Sequence, residues 1–120
     1  MPDLKHIAFA DRLVIVGFGS IGQGVLPLLL RHIDIRPDQL TIITAELRGE
    51  EVAEEYGVRF VETALTPDNY RNVLGGWLGR GDFLLNVSVD VSSVALIALC
   101  RDKGALYLDT CIEPWPGTAR

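Results

Sequence analysis

Cysteine and histidine are scarce in this sequence. Of 120 residues, two are cysteine (Cys100, Cys111) and two are histidine (His6, His32). There is no C-x-x-C pair, and the histidines lie far from both cysteines in sequence. A zinc site is therefore not expected, and no residue is assigned as a metal ligand. Cys111 has no neighbouring histidine to take its proton, which argues against a thiolate nucleophile. Positive charge is also in deficit: 11 Lys and Arg stand against 16 Asp and Glu, a formal net charge of −5. Such a surface repels nucleic acid and anionic membranes, so neither is expected as a partner. Long apolar runs are missing as well. None approaches the roughly 20 residues that a spanning helix needs. Asp3 and Lys5 interrupt the start of the chain, so a signal peptide is not expected there. These absences together predict a cytoplasmic location and free thiols.

What is present is glycine in a pattern. Leu13-Val14-Ile15-Val16 is a run of aliphatic residues, and glycines follow at positions 17, 19 and 22. Residues 23–32 then carry apolar side chains at helical spacing. This is G-x-G-x-x-G set between a buried strand and a helix, the context that gives the motif meaning. Gly17 allows the sharp turn off the strand. Gly19 has no Cβ, so a pyrophosphate can approach the backbone. Gly22 lets the helix lie close to the strand. Ser20 and Ile21 stand between them, where the first helical amides point at an anion. The alternative is a glycine-rich turn with no ligand.

The rest of the chain alternates strand and helix. Strands are predicted over 11–16, 40–45, 58–61, 83–87 and 105–108. Helices are predicted over 20–32 (with a kink expected at Pro27), 49–56, 66–74 and 92–103, with Gly57 and Gly104 as stops. Residues 33–39 read as a polar connection. The pattern is that of an α/β fold, a Rossmann-like doubly wound parallel sheet, single domain, with strand order about 3-2-1-4-5. The ligand crevice falls where the first and fourth strands diverge. A hydrophobic fraction of 48% is ordinary for a globular chain. A chain of this size buries roughly two-thirds of its unfolded surface, enough for one core. Residues 1–120 thus form one dinucleotide-binding domain. The Pro- and Gly-rich stretch after the fifth strand leaves no room for a substrate domain, so the chain is expected to be the cofactor half of something larger.

Several polar residues fall at the predicted ligand edge. Glu46 lies just past the second strand, where a carboxylate accepts the hydroxyls of an adenosine ribose. It follows Gly17 by 29 residues against the usual 20 or so, the excess lying in the 33–39 connection. A carboxylate about 4 Å from a 2′-phosphate repels it by roughly 4 kcal/mol at an effective dielectric of 20. Glu46 therefore favours NAD over NADP unless Arg48 compensates; otherwise Glu46 is a solvated acid paired with Arg48. Asn86 and Ser88 sit at the end of the fourth strand, positioned for ribose or nicotinamide, or else they close a turn. Asp90 precedes Val91-Ser92-Ser93 and an apolar helix, a position where Asp and Ser serve as helix caps. Glu113, in Cys111-Ile112-Glu113-Pro114-Trp115, pairs a carboxylate with an aromatic ring and suits an ammonium group; the alternative is a surface acid.

These residues together resemble the bacterial homospermidine synthases of the saccharopine dehydrogenase-like group. The likeness rests on Val16-Gly17-Phe18-Gly19-Ser20-Ile21-Gly22-Gln23-Gly24 with Leu26-Pro27-Leu28, on Gly57-Val58-Arg59-Phe60-Val61, on Asn86-Val87-Ser88-Val89-Asp90-Val91-Ser92-Ser93, and on Tyr107-Leu108-Asp109-Thr110-Cys111-Ile112-Glu113-Pro114-Trp115. It runs over nearly the whole chain, and the last two stretches are the most specific. The resemblance implies an enzyme that holds NAD and makes homospermidine from two putrescines. A putrescine is oxidised to an imine, ammonia leaves, the aminobutyl group passes to a second diamine, and the hydride returns. On that likeness Gly17, Gly19, Ser20, Ile21 and Gly22 hold the pyrophosphate. Glu46 matches the ribose acid, Asn86 and Ser88 line the nicotinamide side, and Thr110 joins the cofactor-binding set. Asp90 and Glu113 match acidic positions facing the diamine, and are the catalytic candidates. The family's full chain is several times longer, so this piece alone is expected to be inactive; a homodimer is left open for the full-length protein. Two other readings remain: another saccharopine dehydrogenase-like oxidoreductase acting on an amino acid, and a non-enzymatic nucleotide-sensing domain. An amino-acid substrate would call for cations at the crevice, whereas Asp90, Asp109 and Glu113 are acidic.

Overall fold

The structure, a computed structural model, describes residues 7–88 and 91–110. Its centre is a five-stranded parallel sheet. The strands are β2 (Leu13–Val16), β4 (Leu40–Thr44), β5 (Arg59–Glu62), β6 (Phe83–Asn86) and β7 (Leu106–Asp109), in the order β5-β4-β2-β6-β7. Counting these five along the chain, the order is the predicted 3-2-1-4-5. The first strand lies in the middle, Val14 facing Thr41 of β4 on one side and Leu84 of β6 on the other.

The central position explains why β2 is apolar at every residue. Leu13 and Ile15 enter one core cluster, under α1 (Ser20–His32) and α2 (Glu50–Tyr56). Val14 and Val16 enter the other, under α3 (Tyr70–Gly75) and α4 (Ser93–Lys103). A strand covered on both faces loses the polar–apolar alternation of a half-exposed one. Leu26 of α1 and Leu96 of α4 are fully buried, and each such side chain contributes about 1.5–3 kcal/mol relative to exposure.

The structure departs from the sequence expectation in several places. The connection over 33–39 is folded: Ile33–Asp34 forms β3, which pairs in parallel with β1 (Ile7–Ala8) as a separate two-stranded sheet. Pro37–Gln39 is a 3₁₀ turn. Two-residue strands carry no periodicity, so nothing in the sequence marks them. The first main strand begins at Leu13 rather than residue 11, because the Gln39 amide donates at 2.8 Å to the carbonyls of both Phe9 and Asp11 and holds that approach outside the ladder. The third helix opens at Tyr70, not at 66. Thr66 Oγ1 accepts from the Asp68 and Asn69 amides while Asn69 Oδ1 accepts from the Thr66 amide, which closes a turn before the helix begins. By contrast, α1 spans the predicted residues 20–32 and continues through Pro27 as one helix. α4 is capped by Ser92, whose side chain accepts from the Ala95 amide at 3.2 Å.

No helix among the described residues is long and apolar enough to cross a membrane.

Candidate dinucleotide site

The carboxyl ends of β2, β4 and β6 open into a cleft of about 300 Å³. Gly17, Phe18 and Gly19 form one wall, Glu46 and Arg48 another, and Ser88 with Val91 a third. Thr63, Ala64 and Leu65, just after β5, complete the lining.

The glycine turn is tied down on both sides. The Gly17 amide donates to the Ile43 carbonyl at 2.8 Å, and the Val87 amide donates to the Val16 carbonyl at 2.9 Å. Gly17 has φ of 88°, and a Cβ there would lie 2.7 Å from the Ser88 Cα. The position demands glycine twice, for its left-handed backbone and for the approach of the loop after β6. Gly22 is needed for packing: a Cβ would stand 3.1 Å from the Phe18 ring and 3.2 Å from Val87 Cγ2. Gly19 differs from both, since a Cβ there would meet nothing within 4 Å. Its missing side chain leaves room on the ligand side.

Gly19 is also the N-cap of α1, with no side-chain cap bond, and the first turn of that helix carries no acidic residue. The first amides of a helix have no intrahelical partner. Here they head a 13-residue helix, with Ser20 and Ile21 as its first two residues and Arg31 and His32 in its last turn. An anion at the amino end therefore meets unspent donors and the positive end of the dipole. These residues fit the pyrophosphate of a dinucleotide.

Across the cleft, Glu46 Oε2 lies 3.9 Å from Arg48 NH2, and both side chains are more than half exposed. An exposed pair at that distance contributes little, so either side chain can turn to a ligand. The pairing considered from sequence is therefore present, and it sits on the cleft rather than away from it.

Of the two roles open to Asn86 from sequence, the structure shows the turn-closing one. It is 2% exposed and is not among the cleft-lining residues. Its Oδ1 accepts from the Ser88 amide at 3.1 Å and from the Ser88 hydroxyl at 2.6 Å; its Nδ2 donates to the Tyr107 hydroxyl at 3.1 Å. The Tyr107 hydroxyl in turn donates to Asp109 Oδ2 at 2.9 Å. Burial pushes this phenol up to about 12, so it stays protonated and keeps donating at neutral pH. The Asn86 amide is occupied in orienting Ser88, which lines the cleft. Thr110, at the end of β7, donates its amide to the Asn86 carbonyl at 3.3 Å and does not line the cleft. Asp90 and Glu113 lie outside the described residues, as does Cys111.

Sequence reasoning missed two features. The Thr63–Ala64–Leu65 lining was hidden because only the strand order brings the loop after β5 beside β4. The Tyr107–Asp109 pair was hidden because a tyrosine within an apolar strand reads as core. Among the described residues, no group of three or more His, Cys, Asp or Glu side chains is placed to hold a metal ion.

Residues 13–119 match the family described as the saccharopine dehydrogenase NADP binding domain. The chain belongs to that family. Within it, the chain is 45% identical over 108 residues to a homospermidine synthase of Blastochloris viridis, an alignment covering 88% of this chain and 23% of that protein. It is 42% identical over 108 residues to a homospermidine synthase of Mesorhizobium japonicum, covering 88% and 22%. Among solved structures it superposes, with a TM-score of 0.91 and 46% identity, on the crystal structure of a Legionella pneumophila homospermidine synthase in complex with NAD, covering 98% of this chain and 25% of that one. The chain thus spans about a quarter of the length of each of these relatives.

Proposed function

We propose that this chain is the NAD-binding part of a homospermidine synthase. One observation carries the reading: the open face of Gly19, at the amino end of α1, shares a cleft with Glu46. The similarity to homospermidine synthases, one of them solved with NAD, supports it. Gly17, Gly19, Ser20 and Ile21 hold the pyrophosphate, while Gly22 keeps α1 close enough to β2 to present its amides. Glu46 accepts the adenosine ribose hydroxyls. Ser88, oriented by Asn86, faces the nicotinamide half, and Thr110, whose amide holds the Asn86 carbonyl, supports that edge from outside the cleft.

When bound, NAD accepts a hydride from a diamine carbon and later returns it, so that two putrescines become homospermidine and ammonia with no net redox change. Around that chemistry the chain supplies position and charge. Asp90 and Glu113 are assigned to the ammonium groups of the diamine, and Asp109 at the end of β7 adds to the negative potential of that edge. A cationic substrate is favoured by such an edge, as a carboxylate-bearing amino acid is not. The remaining machinery belongs to the larger protein, so the isolated chain is expected to bind cofactor without turnover.

Calorimetric titration with NAD and with NADP tests the reading. NAD binds more tightly, and Glu46→Ala brings the two affinities towards parity by removing the repulsion of the 2′-phosphate. A preference for NADP would instead make Arg48 the decisive residue, in line with the family's description. A folded chain that binds neither would reduce the glycine turn to a structural device.

A further inference from the structure

The loop that carries Glu46 and Arg48 joins β4 to α2. It is closed by the Glu50 amide donating to the Leu47 carbonyl at 3.0 Å, and it ends on Gly49, the N-cap of α2, with φ of 91°. A Cβ at Gly49 would lie 2.6 Å from Phe18 Cδ2 and 2.9 Å from Gln23 Nε2. Neither neighbour can withdraw without loss. Phe18 is 2% exposed, with its ring set edge-on to Phe60 at 6.3 Å. Gln23 donates to the Phe18 carbonyl at 3.0 Å. The second strand's loop is thus seated on the glycine turn at a point where a side chain is missing. Beside that point Gly19, Glu46 and Arg48 border one small recess.

We propose that Gly49 is a specificity-determining positioning residue: its bare α-carbon seats the Glu46 loop on Phe18 and Gln23, and so fixes the separation between the ribose-reading carboxylate and the phosphate-binding turn. Any side chain at 49 lifts the loop and takes Glu46 out of reach of the ribose. The inference rests on the dinucleotide reading above and deepens it.

Gly57 provides an internal control. It also has positive φ, 72°, but a Cβ there would meet only Pro37, at 3.8 Å. The strain is shared; the contact is not. The test measures the dissociation constants of NAD and NADP and the melting temperature for the chain, Gly49→Ala and Gly57→Ala. Gly57→Ala lowers the melting temperature and leaves both constants unchanged. Gly49→Ala weakens NAD by roughly tenfold or more, as expected when a hydrogen bond to a charged group is lost, and leaves NADP unchanged or tighter. Parallel loss of both dinucleotides, or equal effects of the two variants, overturns the proposal. If Gly49→Ala does not fold, Phe18→Leu removes the ring edge on which the loop rests; the same fall in NAD over NADP is expected, and an unchanged ratio overturns it. A chain that binds neither dinucleotide removes the dinucleotide reading and this inference together. A chain that binds NAD while its variants keep the original ratio removes this inference alone.

Discussion

Gly17 and Gly19 are two residues apart and do different work. A side chain at 17 would strike the backbone of Ser88 and strain a φ of 88°, so substitution there damages the fold and the site at once. A side chain at 19 projects into open space from an N-cap with φ of −80°, a conformation that any residue adopts. Gly19→Val therefore separates fold from function. We expect its melting temperature to stay within a few degrees of the parent, since surface substitutions usually cost within about 0.5 kcal/mol, while NAD binding is lost because the isopropyl group occupies the pyrophosphate's place. Calorimetry beside thermal unfolding checks both halves. Undiminished NAD affinity would place the phosphate elsewhere. Residue identity also explains Asn86: one amide with four hydrogen-bonding sites satisfies Ser88 and Tyr107 at once, which neither leucine nor serine does at that position.

Among the elements, α4 has the clearest local grammar and an unexpected chemical consequence. Ser92 caps its start, Arg101 and Lys103 lie in its last turn, and Gly104 ends it. Its inner face carries Leu96, Leu99 and Cys100 into the core against β6 and β7. Burial pushes the Cys100 thiol from its ordinary 9.0 up to about 11. The folded state thus holds a proton that the unfolded chain releases first. Stability from this group is complete below about pH 9 and falls as pH rises towards 11, at about 1.4 kcal/mol per pH unit. Tyr107, raised in the same sense to about 12, adds its own decline above pH 10. Cys100→Ala should flatten the stability profile between pH 9 and 10 and roughly halve its fall between pH 10 and 11, where Tyr107 alone then contributes. Urea unfolding across pH 7–11 measures this; an identical slope in the variant would show that the thiol does not contribute.

At the scale of the whole molecule the parallel sheet has two unlike ends. The carboxyl ends of its strands make the cleft. The amino ends are fastened by Asp82, which is 4% exposed. Asp82 accepts from the Arg12 amide at 2.8 Å and from the Arg12 Nε at 2.9 Å, and from the Gly79 amide at 2.7 Å, so it clasps the start of β2 to the start of β6. Asp82→Ala should cost about 2–4 kcal/mol by orphaning those donors and leave the NAD dissociation constant of the folded fraction unchanged. A loss of affinity as large as the loss of stability would mean that the two ends are coupled. Because all five strands run the same way, one end is free to bind while the other is committed to stability.

Much of this was legible in the chain itself. The unbroken apolar run at 13–16, the spacing of Gly17, Gly19 and Gly22, and the helical period after them specify a strand, a turn and a helix, because each rests on contacts within a few residues. Strand order followed, since alternating strands and helices leave few ways to build a parallel sheet. Tertiary structure decided what depends on residues distant in sequence. It took Asn86 out of the cleft by placing Tyr107 within 3.1 Å of its amide, and it brought residues 63–65 into the cleft beside β4. It also brought Gly49 so close to Phe18 that a Cβ there would lie 2.6 Å from the ring. A local pattern can say that a glycine turn exists, but which side chains face a ligand across it is set by which distant segments the packed sheet brings alongside.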